Sequence, residues 1–385
     1  MTWYLRGKAA IAGVATAHLG EAPGFSHMEI AATAARAALA DAGLTLADVD
    51  GLFAVSMHAV FPALTYGEYL GIQPRFSEAT IVGGSSAVVQ MLHAAMALEH
   101  GLCDVALIVY GSNQRTASGR LHSPSGAENL PYEKPYALRS PIAGYAMSAA
   151  RHMHDYGTTR EQLAEVAVAA RMWAAMNQEA FDRAPLTAEE VLASRMVCDP
   201  LTVRDCCLVT DGGGAIVMTR ADRAKDLAKP PVHLLSCAGA HTHRQYSMMP
   251  DLTTTAAVDS GARAFAMAGL KPADVDVLQV YDAFTINAVM LLEDLGFCPK
   301  GEGGAYVGGG RLRPGGDLPF NTYGGGLSCT HPGMLGIFTT IEAVRQLRGE
   351  CGARQVAGAT IGLAHGNGGM FAHESTALLG TEAAL

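Results

Sequence analysis

Residues 42–50 read "AGLTLADVD", and residues 268–276 read "AGLKPADVD". The two stretches lie 226 residues apart and agree at seven of nine positions. Each follows an Ala-rich segment, about 28–42 and about 255–268, whose apolar spacing predicts an amphipathic helix. Each precedes an apolar run, "GLFAVSM" at 51–57 and "VLQVYDAF" at 277–284, that reads as a strand. A-G-L followed by A-D-V-D is by itself an ordinary helix-to-strand connection. Helix, connection and strand agree together in both copies, so the chain reads as a duplication.

Working outward, the segment 81–112, "IVGGSSAVVQMLHAAMALEHGLCDVALIVYGS", reads as a Gly/Ser loop, a helix and a buried strand. Residues 330–369 repeat that order and end in a second glycine loop, "HGNGG" at 365–369. Both helices start at small-residue turns, where free backbone N–H groups can face an anion or an oxyanion. The strands are apolar without strict alternation, as in sheets covered on both faces. The expected class is α/β, with five layers, helix–sheet–helix–sheet–helix, built from two pseudo-repeated halves. The expected boundaries are 1–225 for the N-terminal half and 226–385 for the C-terminal half, with 221–231 as linker. An inserted loop and helical region of about 112–195 interrupts the first half. Residues 112–150 are polar and turn-rich, and a loop of that length is usually functional. Helices are expected at roughly 141–156 and 159–177, and Thr187 with Glu190 has capping-box spacing.

Composition narrows the function. The chain has 385 residues, is 49% hydrophobic and only 16% charged, and carries 44 glycines, which suits a large α/β enzyme core. A formal charge of −9 argues against nucleic acid or an anionic membrane as the main partner. Eight cysteines are present and none forms a C-x-x-C pair, so a zinc ribbon within this chain is not expected. No apolar run reaches the ~18 residues that a membrane span needs. The N-terminus lacks the form of a secretory signal, and a cytoplasmic setting is the expectation.

Several longer stretches resemble one family. They are "LRGKAAIAGV" at 5–14, "GGSSAVVQMLHAAMALEHG" at 83–101, "DPLTVRDCCLVTDGGGAIV" at 199–217, "YDAFTINAVMLLEDLGFCPKGEGG" at 281–304, "THPGM" at 330–334 and "HGNGG" at 365–369. They resemble the thiolase superfamily, specifically its sterol-carrier-protein and lipid-transfer-protein types, nearly end to end. The resemblance implies a five-layer fold, a dimer, and an active site where the loops of the two halves converge.

A thiolase takes up its acyl group on a cysteine and moves the α-proton with a second one. In the family the first thiol sits on the loop before the first-half central helix. Here that loop is Gly83-Gly84-Ser85-Ser86. The second thiol belongs to the C-terminal glycine loop, here His365-Gly366-Asn367-Gly368-Gly369. Both thiol positions are empty. The family's Gly-His-Pro motif persists as Thr330-His331-Pro332, and its Asn-Glu-Ala-Phe or His-Asp-x-Phe motif becomes Tyr281-Asp282-Ala283-Phe284. Tyrosines without catalytic cysteines resemble a branch of thiolase-like aldolases that cleave steroid side chains from β-hydroxyacyl-CoA thioesters. That resemblance implies retro-aldol chemistry, with Tyr281 and Tyr323 sharing the acid and base roles and His331 and the 365–369 backbone holding the enolate oxygen. Gly84, Ser85, Ser86, Asn367 and Gly368 would line the thioester. Coenzyme A enters as substrate, and no covalently bound cofactor is implied. Members of the branch work with a small zinc-ribbon/OB-fold subunit, so a separate partner and a heterotetramer are expected.

Other features carry less. Cys329 stands two residues from His331 but off the family's cysteine positions. His241 and His243 are two apart with no carboxylate or cysteine set beside them, so no metal is expected. "VGGGRLRPGGD" at 307–317 lacks the order of a nucleotide loop. It could touch a CoA phosphate or the partner through Arg311 and Arg313. Two other functions compete: acyl transfer with an unusual nucleophile such as Ser85 or Ser86, and a non-catalytic acyl-CoA or lipid-binding subunit.

Overall fold

The computed structural model describes residues 3–118 and 133–385; the centre of the long loop expected over 112–150 lies outside the described residues. The first half runs β1 (Ala9–Gly20), α1 (His27–Ala42), β2 (Gly51–Val55), α2 (Pro62–Leu70), β3 (Phe76–Glu78), α3 (Ser86–Glu99), β4 (Val105–Ser112) and the short α4 (Gln114–Ser118). A helical stretch follows, α5 (Ile142–Tyr156), α6 (Arg160–Ala175) and α7 (Ala188–Ala193). Thr187 caps α7 and Glu190 returns the capping box. The small hairpin β5 (Met196–Cys198) and β6 (Leu201–Thr202) leads to β7 (Asp211–Arg220) and α8 (Ala221–Ala224). The second half runs β8 (Val232–His241), α9 (Ala257–Ala268), β9 (Val277–Gln279), α10 (Thr285–Asp294), α11 (Gly303–Tyr306), α12 (Gly336–Leu347), β10 (Ile361–Gly368) and β11 (His373–Gly380).

The strand order is β3-β2-β4-β7-β1-β8-β11-β10-β9. It is a palindrome of the duplication. In each half the strand after the repeated connection, β2 or β9, lies parallel to β4 or β10. The return strands β7 and β11 lie antiparallel to those. The two half-sheets meet only at Ala10↔His233 and Ile11↔Val232. The ladder therefore continues through a narrow seam, and the halves fold over the helices between them.

Those central helices are α3 and α12, and both touch strands of both halves. They are buried almost all round, from Ala87 to Leu98 and from Gly336 to Leu347, as a helix between two sheets must be. The outer helices bury one face. α1 packs Ile30, Ala31, Ala34, Ala35, Ala38 and Leu39 onto β1, β7 and β4, and α9 packs onto β8 and β11. These are the five layers.

The repeated nonapeptides adopt one geometry. Gly43 and Gly269 end α1 and α9 with φ of 73° and 69°, a left-handed conformation that costs glycine least. The amide of Thr45 bonds Asp48, and that of Lys271 bonds Asp274, across a single 3₁₀ turn. Asp50 then accepts from the amides of Asp104 and Val105, and Asp276 from those of Thr360 and Ile361. Each aspartate ties the connection to the start of the adjacent strand, which explains why both copies end in Asp.

One element differs from the sequence reading. The strand expected over 277–284 stops at Gln279. The Val280 amide turns to the side chain of Asn321, and residues 281–284 lead directly into α10. The residue after that turn is Tyr281.

Candidate active site

The site forms where three loops meet: residues 82–86 entering α3, residues 281–284 after β9, and residues 321–334 before α12. The end of β10 closes it from the second sheet. His331 is held by its backbone. Its amide donates to Thr210 Oγ1 at 2.9 Å, and its carbonyl accepts from Gln114 Nε2 at 2.8 Å. Its ring stands edge-on to Tyr281, with Nε2 at 3.0 Å from the phenol oxygen. The same phenol lies 3.2 Å from the Gly333 carbonyl. A carbonyl only accepts, and a phenol has one proton. That proton therefore sits on the Gly333 side or the His331 side, with the imidazole in the complementary tautomer.

Both groups are deeply buried, Tyr281 at 5% exposure and His331 at 4%. Burial pushes the imidazole down to about 4, so it rests neutral. Burial pushes the Tyr281 phenol well above its usual value, and Tyr145 and Cys207 nearby push it further. The pair thus rests as a neutral phenol hydrogen-bonded to a neutral imidazole.

Gly84 lies on the loop where the family carries its first thiol. A Cβ at this position would overlap the edge of the Tyr281 ring and the Asn367 carbonyl oxygen. Tyr281 occupies the space that any side chain at 84 would need. The C-terminal loop is equally closed: a Cβ at Gly366 would press on the Ser85 backbone, and one at Gly368 would overlap the Val82 carbonyl oxygen. The two glycine loops meet backbone to backbone, so a side chain at Gly84, Gly366 or Gly368 would displace the atoms opposite it.

The structure brings Tyr281, His331, Gly84 and Asn367 together, with Gly368 against Val82. Ser85 and Ser86 act within their own turn. Ser86 Oγ donates to the Gly83 carbonyl at 2.6 Å and accepts from the Val82 amide. Ser85 Oγ lies 3.0 Å from the Val82 carbonyl and 2.8 Å from His373 Nδ1. A base beside Ser85 is not legible in the sequence, because His373 lies 288 residues away.

Tyr323 is not brought into this cluster. Its hydroxyl, 4% exposed, has no hydrogen-bond partner among the described residues. It lines a small cavity with Thr16, Leu19, Cys329, Phe338 and Arg345. Burial raises its phenol well above the usual value, and Asp282, Cys329, Glu342 and Tyr281 raise it further. The five-residue turn Gly325–Cys329 separates Tyr323 from His331 along the loop. Cys329 is buried beside Asn177, and burial keeps its thiol protonated.

Three residues emerge only from the fold. Asp282 is fully buried, accepts from the Gly326 amide at 2.6 Å and so tethers the turn that carries His331. Burial raises its carboxyl to about 7. Tyr145 on α5 donates to the Gly369 carbonyl at 2.8 Å and meets Asn367 Nδ2 at 3.1 Å. Cys207, whose amide bonds the Ala283 carbonyl, is the thiol within electrostatic reach of both Tyr281 and Tyr145. Asp282 sits inside a motif visible in the sequence. Tyr145 has no local signal, since its partners lie more than 220 residues away.

Comparison with known proteins bears on the fold and the family. Residues 238–381 match the family model for a thiolase C-terminal domain-like region. The chain is 38% identical over 366 residues to the 17-hydroxy-3-oxo-4-pregnene-20-carboxyl-CoA lyase of Mycobacterium tuberculosis, covering 90% of this chain and 92% of that one. It is 35% identical over 368 residues to an acetyl-CoA acetyltransferase of Methanothermobacter thermautotrophicus, covering 94% and 96%. The solved structure of the "Ltp2-ChsH2(DUF35) aldolase" superposes with a TM-score of 0.90 at 33% identity, covering 98% of this chain and 99% of that one.

Proposed function

The chain belongs to the thiolase superfamily, and on that premise we propose that it is a carbon–carbon lyase, a retro-aldolase acting on a β-hydroxyacyl-CoA thioester. Its similar relatives include both a lyase and an acetyltransferase, so family membership alone does not choose between them. The observation that carries the choice is the Tyr281 ring filling the space at Gly84, with its hydroxyl on His331. An acyl-enzyme needs a nucleophile at that point, whereas a retro-aldol cleavage needs a base there. The β-hydroxyl gives its proton to Tyr281 Oη as Tyr281 passes its own to His331 Nε2. The Cα–Cβ bond then breaks, the β-carbon leaves as a carbonyl, and the electron pair becomes the thioester enolate. The loop 83–86 at the N-terminus of α3 offers first-turn amides to the enolate oxygen.

By its resemblance to the steroid side-chain aldolases, the enzyme takes a branched, steroid-type acyl group and works in lipid degradation. A separate zinc-ribbon/OB-fold subunit presents the acyl-CoA, and two copies of each chain form a heterotetramer. The aldolase of known structure carries a two-component name, which supports a partner of this kind. No helix among the described residues is long and apolar enough to cross a membrane. The eight cysteines are unbridged, which suits the reducing cytoplasm.

The test is release of the carbonyl product from a tertiary-alcohol acyl-CoA by the co-expressed pair. Tyr281→Phe lowers turnover by about 10²–10⁴-fold, the usual contribution of a positioned acid or base, while Tyr323→Phe leaves it within a few-fold. Full activity in Tyr281→Phe refutes the assignment.

A second reading rests on Ser85 and His373 at 2.8 Å, the arrangement of an acyl-accepting serine with its base. Ser85 is fully buried, and its one proton already has the Val82 carbonyl as acceptor, so the contact is better explained as a cross-tie between the loops. Intact mass after incubation with acyl-CoA decides: an added acyl group on Ser85 establishes transferase chemistry, and an unmodified mass during turnover excludes it.

A further inference from the structure

The reaction proposed above needs two proton transfers, and Tyr281 with His331 accounts for one. The enolate carbon must still receive a proton. Tyr323, the other tyrosine singled out in the sequence, faces the cavity behind the His331 loop. We infer that Tyr145 is the second proton carrier of the site, the acid that protonates the enolate carbon after cleavage; the inference rests on the retro-aldolase reading.

Hydrogen-bond geometry fixes how Tyr145 is set. Its hydroxyl lies 2.8 Å from the Gly369 carbonyl, which only accepts, so the phenol proton points there. The phenol oxygen must then accept from Asn367, which places Nδ2 toward Tyr145 at 3.1 Å and Oδ1 on the far side. That Oδ1 is buried without a partner among the described residues. Asn287, fully buried on α10, is a second amide whose hydrogen bonding favours the charged form of the same phenol. The ring is held between Phe284 and Phe371, with centroids at 4.4 and 4.7 Å. Phe284 ends the segment that begins with Tyr281, and Tyr145 is the foremost charge neighbour of Tyr281.

Burial and the nearby Glu374 raise the Tyr145 phenol, so it rests protonated and holds the proton that an acid must give. Loss of the proton leaves a phenolate that already receives the Asn367 N–H and has a second amide beside it, and donors to the charged form stabilise it. In the step itself, the Tyr145 O–H bond breaks as the enolate electron pair forms the Cα–H bond. The phenolate is refilled by the proton that Tyr281 and His331 took from the β-hydroxyl. The balance is one proton moved from oxygen to carbon and one C–C bond broken, with no oxidant or reductant. Cys207 is the rival donor, since its thiol lies within reach of both tyrosines.

The half-reaction can be read without cleavage. The co-expressed complex is incubated with acetyl-CoA or propionyl-CoA in D₂O, and loss of α-hydrogen is followed by mass. The wild-type complex exchanges; Tyr145→Phe slows exchange by about 100-fold, within the range for loss of one acid–base group, with acyl-CoA affinity unchanged. Asn367→Leu, which removes the amide donor and keeps Tyr145, slows it by about tenfold, a typical effect of one lost hydrogen bond. If Tyr145→Phe no longer binds acyl-CoA, the Asn367→Leu rate decides alone. Tyr145→Phe exchanging within threefold of wild type overturns the inference. So does Cys207→Ala losing exchange in its place, or a wild-type complex that cleaves but does not exchange. A wild-type complex that cleaves no β-hydroxyacyl-CoA overturns the reaction reading instead.

Discussion

A methyl group at position 84 has no free volume, because the Tyr281 ring and the Asn367 carbonyl already fill it. Gly84→Ala must therefore push the ring off His331. A displacement of about 1 Å at reacting groups costs about 100-fold in rate. We expect that loss of turnover from Gly84→Ala with acyl-CoA binding retained, measured as kcat against KM; a normal kcat would show that the ring has slack. Asp282 supplies a pH signature at the same scale. Its carboxyl is raised from about 4 to about 7 by burial. A raised acid favours the folded state while protonated, and that stability is lost as pH rises from about 4 through about 7. Three units correspond to roughly 4 kcal/mol. Asp282→Asn keeps the acceptor for the Gly326 amide and removes the titration. Urea unfolding at pH 5 and pH 8 should show wild type losing a few kcal/mol relative to the variant on going up in pH. Parallel curves for the two proteins would remove Asp282 as the source.

At the scale of elements, the duplication makes Asp50 and Asp276 equivalent anchors. Asp276 receives the amides of Thr360 and Ile361 and the Thr360 hydroxyl, all at 2.8–3.0 Å. Asp276→Ala leaves those donors without their acceptor and should cost about 2 kcal/mol, read as a lower urea midpoint at unchanged slope. A midpoint unchanged by the substitution would mean that water replaces the carboxylate. The same pair shows what a sequence can reveal. Helix, left-handed glycine, 3₁₀ turn and Asp are local features, so both copies and the layer order could be read from nine residues. Tyr281 and His331 could be read too, because each lies in a short motif. Tyr145 could not, because its hydrogen bonds join α5 to β10 and the turn after it. Tyr323 misled for the converse reason. Eight residues from His331 in the chain and beyond the five-residue turn Gly325–Cys329, it lines a cavity with Thr16, Leu19 and Arg345 instead, a placement that glycine content alone does not reveal. The seam between β1 and β8 was equally hidden, since two residue pairs leave no periodic trace.

At the scale of the whole molecule, the two ends of the sheet are unequal. The first half carries β3 beyond β2, and β3 ends the sheet, whereas the second half has an isolated parallel bridge, Leu278↔Phe320, beyond β9. β3 pairs in parallel with β2, and the Phe76 amide bonds the Asp50 carbonyl. N–H and C=O of one strand residue point to one side and those of the next to the other, so Ser77 directs its backbone outward. An edge strand of this kind is a template for another chain. Ile81, just beyond the strand, and Met96, on α3, are each exposed by 45%. A homodimer formed by edge-to-edge pairing of β3 would cover them and bring two α3 entry loops, hence two sites, close to one interface. Ser77→Pro tests this without touching the ladder to β2, because it removes only an outward amide. Light scattering should give a dimer for wild type and a monomer for Ser77→Pro, with the same far-UV spectrum. If the variant stays dimeric, the copies meet elsewhere. If the monomer forms and still cleaves its substrate at the wild-type rate, each chain completes its own site.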